Sequence, residues 1–198
     1  ELDIMKLTTI GVSVLVAALS CVTSWAQGTY VAASCNYTDV NSVINGPTHK
    51  AVNGDVIQIP AGSCSWGSRL AVPNGVGITI TGAGTPNSSP STMGASSSCS
   101  QTTIALNNTA DGLISMTPGP SSTTSRVSCM RLVPSASSGY SGGAVIAFVG
   151  TCNSSGCPNA RMDNITAPSS WTYTGFSDST FLAPVGVFGV ADHNTIGD

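Results

Sequence analysis

Two segments in the last third of the chain carry the side chains best suited to chemistry. Arg161-Met162-Asp163-Asn164-Ile165-Thr166 and Val190-Ala191-Asp192-His193-Asn194-Thr195-Ile196 resemble each other, each an apolar position followed by Asp and then, at once or one residue later, Asn. The two aspartates stand 29 positions apart, 192 minus 163. That separation fits one repeat of a chain built from stacked supersecondary units. On successive strands of one sheet the two backbones would lie ~4.8 Å apart. Carboxylates that close repel, which raises the pKa of one of them unless a cation sits between. The pair suits two chemistries: a general acid with a partner carboxylate, as in breaking a glycosidic bond, or hard oxygen ligands for Ca2+. Arg161 and His193 flank it. Arg161 offers an anion-binding guanidinium, and His193 a base that titrates near neutrality. Strand alternation puts Arg161 and Asp163 on one face and turns His193 away from Asp192 unless a turn intervenes.

A purely structural reading stands beside the chemical one. Stacked repeats favour like polar residues at turns, so Asn164 and Asn194 would hydrogen-bond turn backbones from one repeat to the next, with Asp163 and Asp192 in the same ladder. Trp171 and Tyr173, like Trp66, are candidates for stacking on sugar rings, and equally for burial. Arg69 beside Trp66 reads as a surface residue, and His49 and Lys50 take no role. Gly139-Tyr140-Ser141-Gly142-Gly143 matches the Gly-x-Ser-x-Gly elbow in letters only, because a Ser-rich loop precedes it and a strand follows. Sequons at Asn36, Asn87, Asn107, Asn153 and Asn164 matter only in a host that glycosylates them.

The elements that must position these residues are short strands. Candidates run from Val56 to Ile59, Ile78 to Thr81, Thr102 to Leu106, Leu113 to Met116, Val127 to Val133, Ala144 to Val149, Arg161 to Ile165 and Val187 to Asp192. Most alternate apolar with small or polar residues. Gly, Ser, Asn and Pro separate them, and the longest such stretch, 82–100, reads as a surface excursion pinned at Cys99. Ahead of the strands, Thr38 or Asp39 caps a short helix with Val40, Val43 and Ile44 on one face, stopped at Gly46-Pro47. Such a helix would cover the open end of a stack of strands.

Only 8% of the 198 residues are charged, against about 25% in a typical soluble domain. Polarity therefore comes from hydroxyls and amides, and the few scattered basic residues argue against a nucleic-acid partner. Met5-Lys6, the apolar run Ile10 to Leu19 and Ser24-Trp25-Ala26 read as a signal peptide over residues 1–26, with 1–4 an upstream remnant and cleavage after Ala26. No other apolar run approaches the ~20 residues that span a bilayer. A single domain over 27–198 follows, secreted or held at the cell surface. Its charge is −2, from Lys50, Arg69, Arg126, Arg131 and Arg161 against seven aspartates. Six cysteines remain in it, Cys35, Cys64, Cys99, Cys129, Cys152 and Cys157, and an even number in an exported chain favours disulfides over zinc. Pairing in chain order is preferred among the 15 connectivities open to six cysteines.

The stretch Asn53-Gly54-Asp55 through Ile57-Gln58-Ile59-Pro60-Ala61-Gly62, then Ile78-Thr79-Ile80-Thr81-Gly82-Ala83-Gly84, resembles the first two coils of the pectin lyase-like superfamily. Met162-Asp163-Asn164 and Ala191-Asp192-His193-Asn194 resemble its recurrent Ile-Asp-His-Asn rungs. The resemblance spans roughly residues 38–198. It implies an all-β fold, a right-handed parallel β-helix or solenoid with a short N-terminal capping helix. It further implies a longer parent protein, since such helices run for more coils than this chain holds. For activity it implies a polysaccharide partner and a polysaccharide lyase acting on uronate chains. Asp163 and Asp192 would then hold calcium against the substrate, Arg161 would bind the uronate carboxylate, and His193 or another base would remove the proton for β-elimination. The superfamily also includes surface proteins without activity, so a non-catalytic, glycan-binding solenoid is the alternative expectation.

Overall fold

The computed structural model describes residues 27–89, 94–107, 112–118, 123–134, 145–148, 157–167 and 187–196. The expected signal segment, Trp171, Tyr173, Cys152 and the Gly139 to Gly143 motif lie outside the described residues. What is described is β-rich and parallel, with one α-helix and one short 3-10 helix among the described residues.

The chain begins with β1 (Thr29–Val31) and α1 (Tyr37–Asn45). Three short strands follow, β2 (Val56–Gln58), β3 (Gly62–Trp66) and β4 (Leu70–Ala71). The next three are β5 (Thr79–Thr81), β6 (Thr102–Leu106) and β7 (Ile114–Met116), with the 3-10 helix Ser97–Gln101 just before β6. Then come β8 (Ser125–Pro134), β9 (Ile146–Phe148), β10 (Cys157–Ala167), β11 (Val187–Asp192) and β12 (Thr195–Ile196). All the strand pairings among the described residues are parallel. The main sheet runs β1-β2-β5-β8-β10-β11, with β3, β6 and β12 attached through the second halves of β8 and β10, and a second sheet runs β4-β7-β9. Among the described residues neither sheet closes on itself.

The register explains the sequence pattern. Ile57, Ile80, Val127 and Met162 stand opposite one another on four successive strands, and all four are buried in the core. Leu70, Ile114 and Ile146 form the matching column of the second sheet. A one-residue slip would turn each column to the outside, so burial fixes the register. The main sheet also bends. β8 pairs with β5 through Arg126–Ser128 and with β6 through Arg131–Pro134, and Cys129 between them has φ 57°. Asn164 (φ 57°) and His193 (φ 51°) occupy the same place in the next two strands, since Ser128 pairs with Asp163 and Asp163 with Asp192. Gly82 completes the column on the other side, where an added Cβ would stand 2.1 Å from the Cys129 oxygen.

Several sequence expectations shift in detail. The helix starts two residues earlier than expected, with Asn36 rather than Thr38 or Asp39 at its N-cap, and a strand precedes it. Val40 and Ile44 are buried as its apolar face requires. Trp66 is fully buried, its indole N–H donating to the Cys35 carbonyl, which removes it as a sugar platform. Asp55 is buried too, accepting from the Gly28 and Val52 amides and facing His49 Nε2 at 3.3 Å. His49 thus has a structural part, linking α1 to the sheet through the Val43 carbonyl and stacking on Tyr30. Disulfides join Cys35 to Cys64 and Cys99 to Cys129, the first two of the expected pairs. No helix among the described residues is long and apolar enough to cross a membrane.

Candidate functional site

Asp163 and Asp192 are register partners on β10 and β11, so the spacing argument brings the right residues together. Met162 belongs to the core, which places Arg161 and Asp163 on the opposite, outer side of β10. Asp163 is nevertheless fully buried. Arg126, one strand back, grips it with two parallel bonds, Nε to Oδ1 at 2.7 Å and Nη2 to Oδ2 at 2.5 Å. Ser128 Oγ and Asn164 Nδ2 also donate to Oδ2, at 3.1 and 2.9 Å.

Arg161 stands between the two carboxylates. Its Nη2 donates to Asp192 Oδ2 at 2.9 Å, and its Nε lies 3.3 Å from Asp163 Oδ1 without the alignment of a hydrogen bond. The cation that a close carboxylate pair requires is therefore part of the chain. Burial acts most strongly on Asp163 and pushes its pKa up. The Arg126 and Asn164 hydrogen bonds, with the charges of Arg126 and Arg161, outweigh it and hold the carboxyl below the usual carboxylate range. The hydrogen bond to Asp163 raises Arg126 in turn, against the opposing effect of its own burial. A carboxyl held ionised is a poor general acid near neutrality.

His193 is turned inward by the left-handed residue it occupies. The intervening turn lets Nδ1 face Asp192 Oδ2 at 3.2 Å while Nε2 contacts the Ser89 carbonyl at 2.9 Å, and the side chain is only 11% exposed. Nε2 is thus engaged by the Ser89 carbonyl, while Nδ1 makes no hydrogen bond despite its approach to Asp192. Asn164 Oδ1 accepts from the Asn87 and Ser96 amides, and its Nδ2 donates to the Asn87 carbonyl. Asn194 bonds the previous strand instead, accepting from Ile165 N and donating to Met162 O. The Asn residues thus tie backbone to backbone, though not as a single ladder, because Asn164 aligns with His193 rather than with Asn194.

The segment 82–101, described at 82–89 and 94–101, supplies Asn87, Ser89 and Ser96. Ala95 N donates to Thr195 Oγ1, and Cys99 is bonded to Cys129. The excursion therefore crosses from β5 over the bend of β8, β10 and β11, a strap laid on the outside of the sheet.

The donor set does not fit calcium. Both Asp163 oxygens are taken up by guanidinium groups and neighbours, and a dication there would sit beside two fixed positive charges. Among the described residues no cluster of three or more His, Cys, Asp or Glu side chains is placed to hold a metal ion. Arg126, which sequence reasoning left without a role, anchors the network. Its signal was present: Arg126-Val127-Ser128 and Arg161-Met162-Asp163 share an Arg, apolar, polar order on adjacent strands.

No family model, curated protein or solved structure matches this chain.

Proposed function

We propose that the chain is an exported right-handed parallel β-helix that binds extracellular polysaccharide on its outer faces without cleaving it. The recurring strand order supports the solenoid: β2, β3, β4 are followed by β5, β6, β7, and each pairs directly and in parallel with its counterpart. The resemblance of its rungs to the pectin lyase-like superfamily supports polysaccharide as the partner. Disulfides between Cys35 and Cys64 and between Cys99 and Cys129 fit an oxidising, extracytoplasmic compartment.

One observation carries the choice of binder over lyase or hydrolase. Asp163, the residue around which either chemistry would be built, is buried and held ionised by Arg126 and Arg161, so it neither meets a substrate nor gives up a proton. Asp163 and Asp192 are then tied across their strands through the Arg161 guanidinium between them.

Incubation with polygalacturonate and with neutral polysaccharides, each with and without calcium, tests this. The expected result is retention of the chain by polymer in affinity electrophoresis, with no unsaturated product and no new reducing ends. Accumulation of either product would overturn the non-catalytic reading.

A further inference from the structure

Resting on the export reading, we propose that β1 is a docking edge for a second copy of this chain, which pairs with it antiparallel about a two-fold axis at Tyr30. β1 ends the main sheet, with β2 on one side of it and no strand on the other among the described residues. Its backbone groups alternate in direction. Gly28 O accepts from Val56 N, Ala32 N donates to Gln58 O, and Tyr30 pairs with Ile57 between them, so residues 28, 30 and 32 face β2. The N–H and C=O of Thr29 and Val31 therefore point to the open side, where they meet no hydrogen-bond partner among the described residues. α1 packs on β2 and β3, and no hydrogen bond among the described residues joins it to β1. The expected helical cover thus leaves this edge bare.

A bare edge is a template for another strand unless charges, proline or a bulge guard it. Gly28-Thr29-Tyr30-Val31-Ala32 carries no charge and no proline, and its register with β2 is unbroken. Val31, at 60% exposure, is the one exposed large apolar side chain among the described residues. Removal of residues 1–26 on export leaves only Gln27 and Gly28 ahead of β1. Two residues cannot turn back to cover the strand, since a reversal takes about four. The free groups are also complementary to themselves, which favours a second copy over an unrelated strand. In an antiparallel pair, residues that exchange two bonds alternate with residues that exchange none. A two-fold axis at Tyr30 sets Thr29 against Val31 of the second copy and Val31 against its Thr29, so every free N–H and C=O finds a partner at once. Tyr30 then meets its own counterpart in the close, non-bonded position, where an aromatic pair adds to sheet stability. His49, stacked on Tyr30 with ring centroids 3.7 Å apart, holds the ring in place for that contact. On the outer face each Val31 is covered by the Thr29 opposite. Such an interface uses the same patch on both subunits and closes at two.

Sedimentation equilibrium of the secreted chain, its N-terminus identified by sequencing, tests this. The expected result is a reversible monomer–dimer equilibrium. Amide hydrogen exchange across the same concentrations should slow at Thr29 and Val31 as dimer forms, and not at Tyr30, whose N–H already bonds β2. Val31→Pro deletes an edge donor that faces away from β2, a place where a strand tolerates proline. By symmetry two of the four bonds are lost, so dimer affinity should fall about tenfold or more while the monomer still unfolds cooperatively. Val31→Thr keeps the backbone donor and should dimerise nearly as well as the unaltered chain. A chain that stays monomeric, assembly that continues beyond the dimer, or a dimer whose Thr29 and Val31 amides exchange as fast as in the monomer would each overturn the proposal. Should Val31→Pro fail to fold, the exchange pattern of the unaltered chain still decides. A secreted chain that begins ahead of Gln27 would overturn the cleavage site, and the docking edge with it only if that chain remains monomeric.

Discussion

Asp163 shows how one buried charge is made tolerable. A carboxylate taken out of water is costly unless its oxygens are fully bonded and an opposite charge stands beside it. Arg126 supplies the two-pronged contact, Ser128 and Asn164 fill the remaining positions, and Arg161 shares its charge with Asp192. Because Arg126 keeps 28% side-chain exposure, water offsets part of the loss when the pair is broken. Asp163→Asn is therefore expected to cost about 2 kcal/mol, below the figure for breaking a fully buried pair, read as a lower urea midpoint. Its pH dependence has a definite sign. The folded carboxyl sits below its unfolded value of about 3.9, so its contribution is complete above that pH and is lost as pH falls through the folded value. The urea midpoint of the unaltered chain should fall below about pH 4, and Asp163→Asn should flatten that slope. An equally steep slope in the variant would mean that other carboxylates dominate acid unfolding. The Asp163–Asp192 proximity was legible from residue spacing alone. The burial was not, because it depends on Arg126, 37 positions away, and on side-chain packing that no local pattern encodes.

Among the elements, the strap explains most of what the strand pattern left out. The sequence marked 82–100 as a Gly- and Ser-rich excursion pinned at Cys99, and the disulfide to Cys129 agrees. Where it would lie was not readable, since its anchors are single side chains: Asn164, Thr195 and His193. The strands themselves were legible because their alternation is strong. β6 and β11 match the sequence boundaries, whereas β3, with Gly62-Ser63-Cys64-Ser65-Trp66, lacks the β-branched residues that announce a strand and was missed. Asn164 joins strap to sheet from a left-handed position that costs an ordinary residue about 1–2 kcal/mol. Asn164→Ala removes the bonds to Asn87 and Ser96 and adds that backbone cost, whereas Asn164→Gly removes only the bonds. The glycine variant should be the more stable of the two by about 1 kcal/mol. Hydrogen exchange at the Asn87 and Ser96 amides should accelerate in both. Undisturbed protection there would show that the strap is held by the disulfide alone.

At the scale of the whole molecule, stability is distributed along a line. Each strand of the main sheet meets its neighbours in the order β1-β2-β5-β8-β10-β11, and the core column Ile57, Ile80, Val127, Met162 repeats that order inside. In such a stack the coupling is between nearest neighbours, so damage should spread only a short way. Ile80 has a core partner on both sides, and Ile80→Ala should cost about 3 kcal/mol. Ile57 lies one step nearer α1, and Ile57→Ala should loosen the elements it supports, β1, α1 and β2, before those beyond. Hydrogen exchange under native conditions distinguishes this from all-or-none opening. Linear coupling predicts that Ile57→Ala lowers protection in 29–31, 37–45 and 56–58 while amides of β10 keep most of theirs. A uniform fall across all strands would instead show one cooperative unit, in which the disulfides and the strap bind distant rungs too tightly for any coil to open alone.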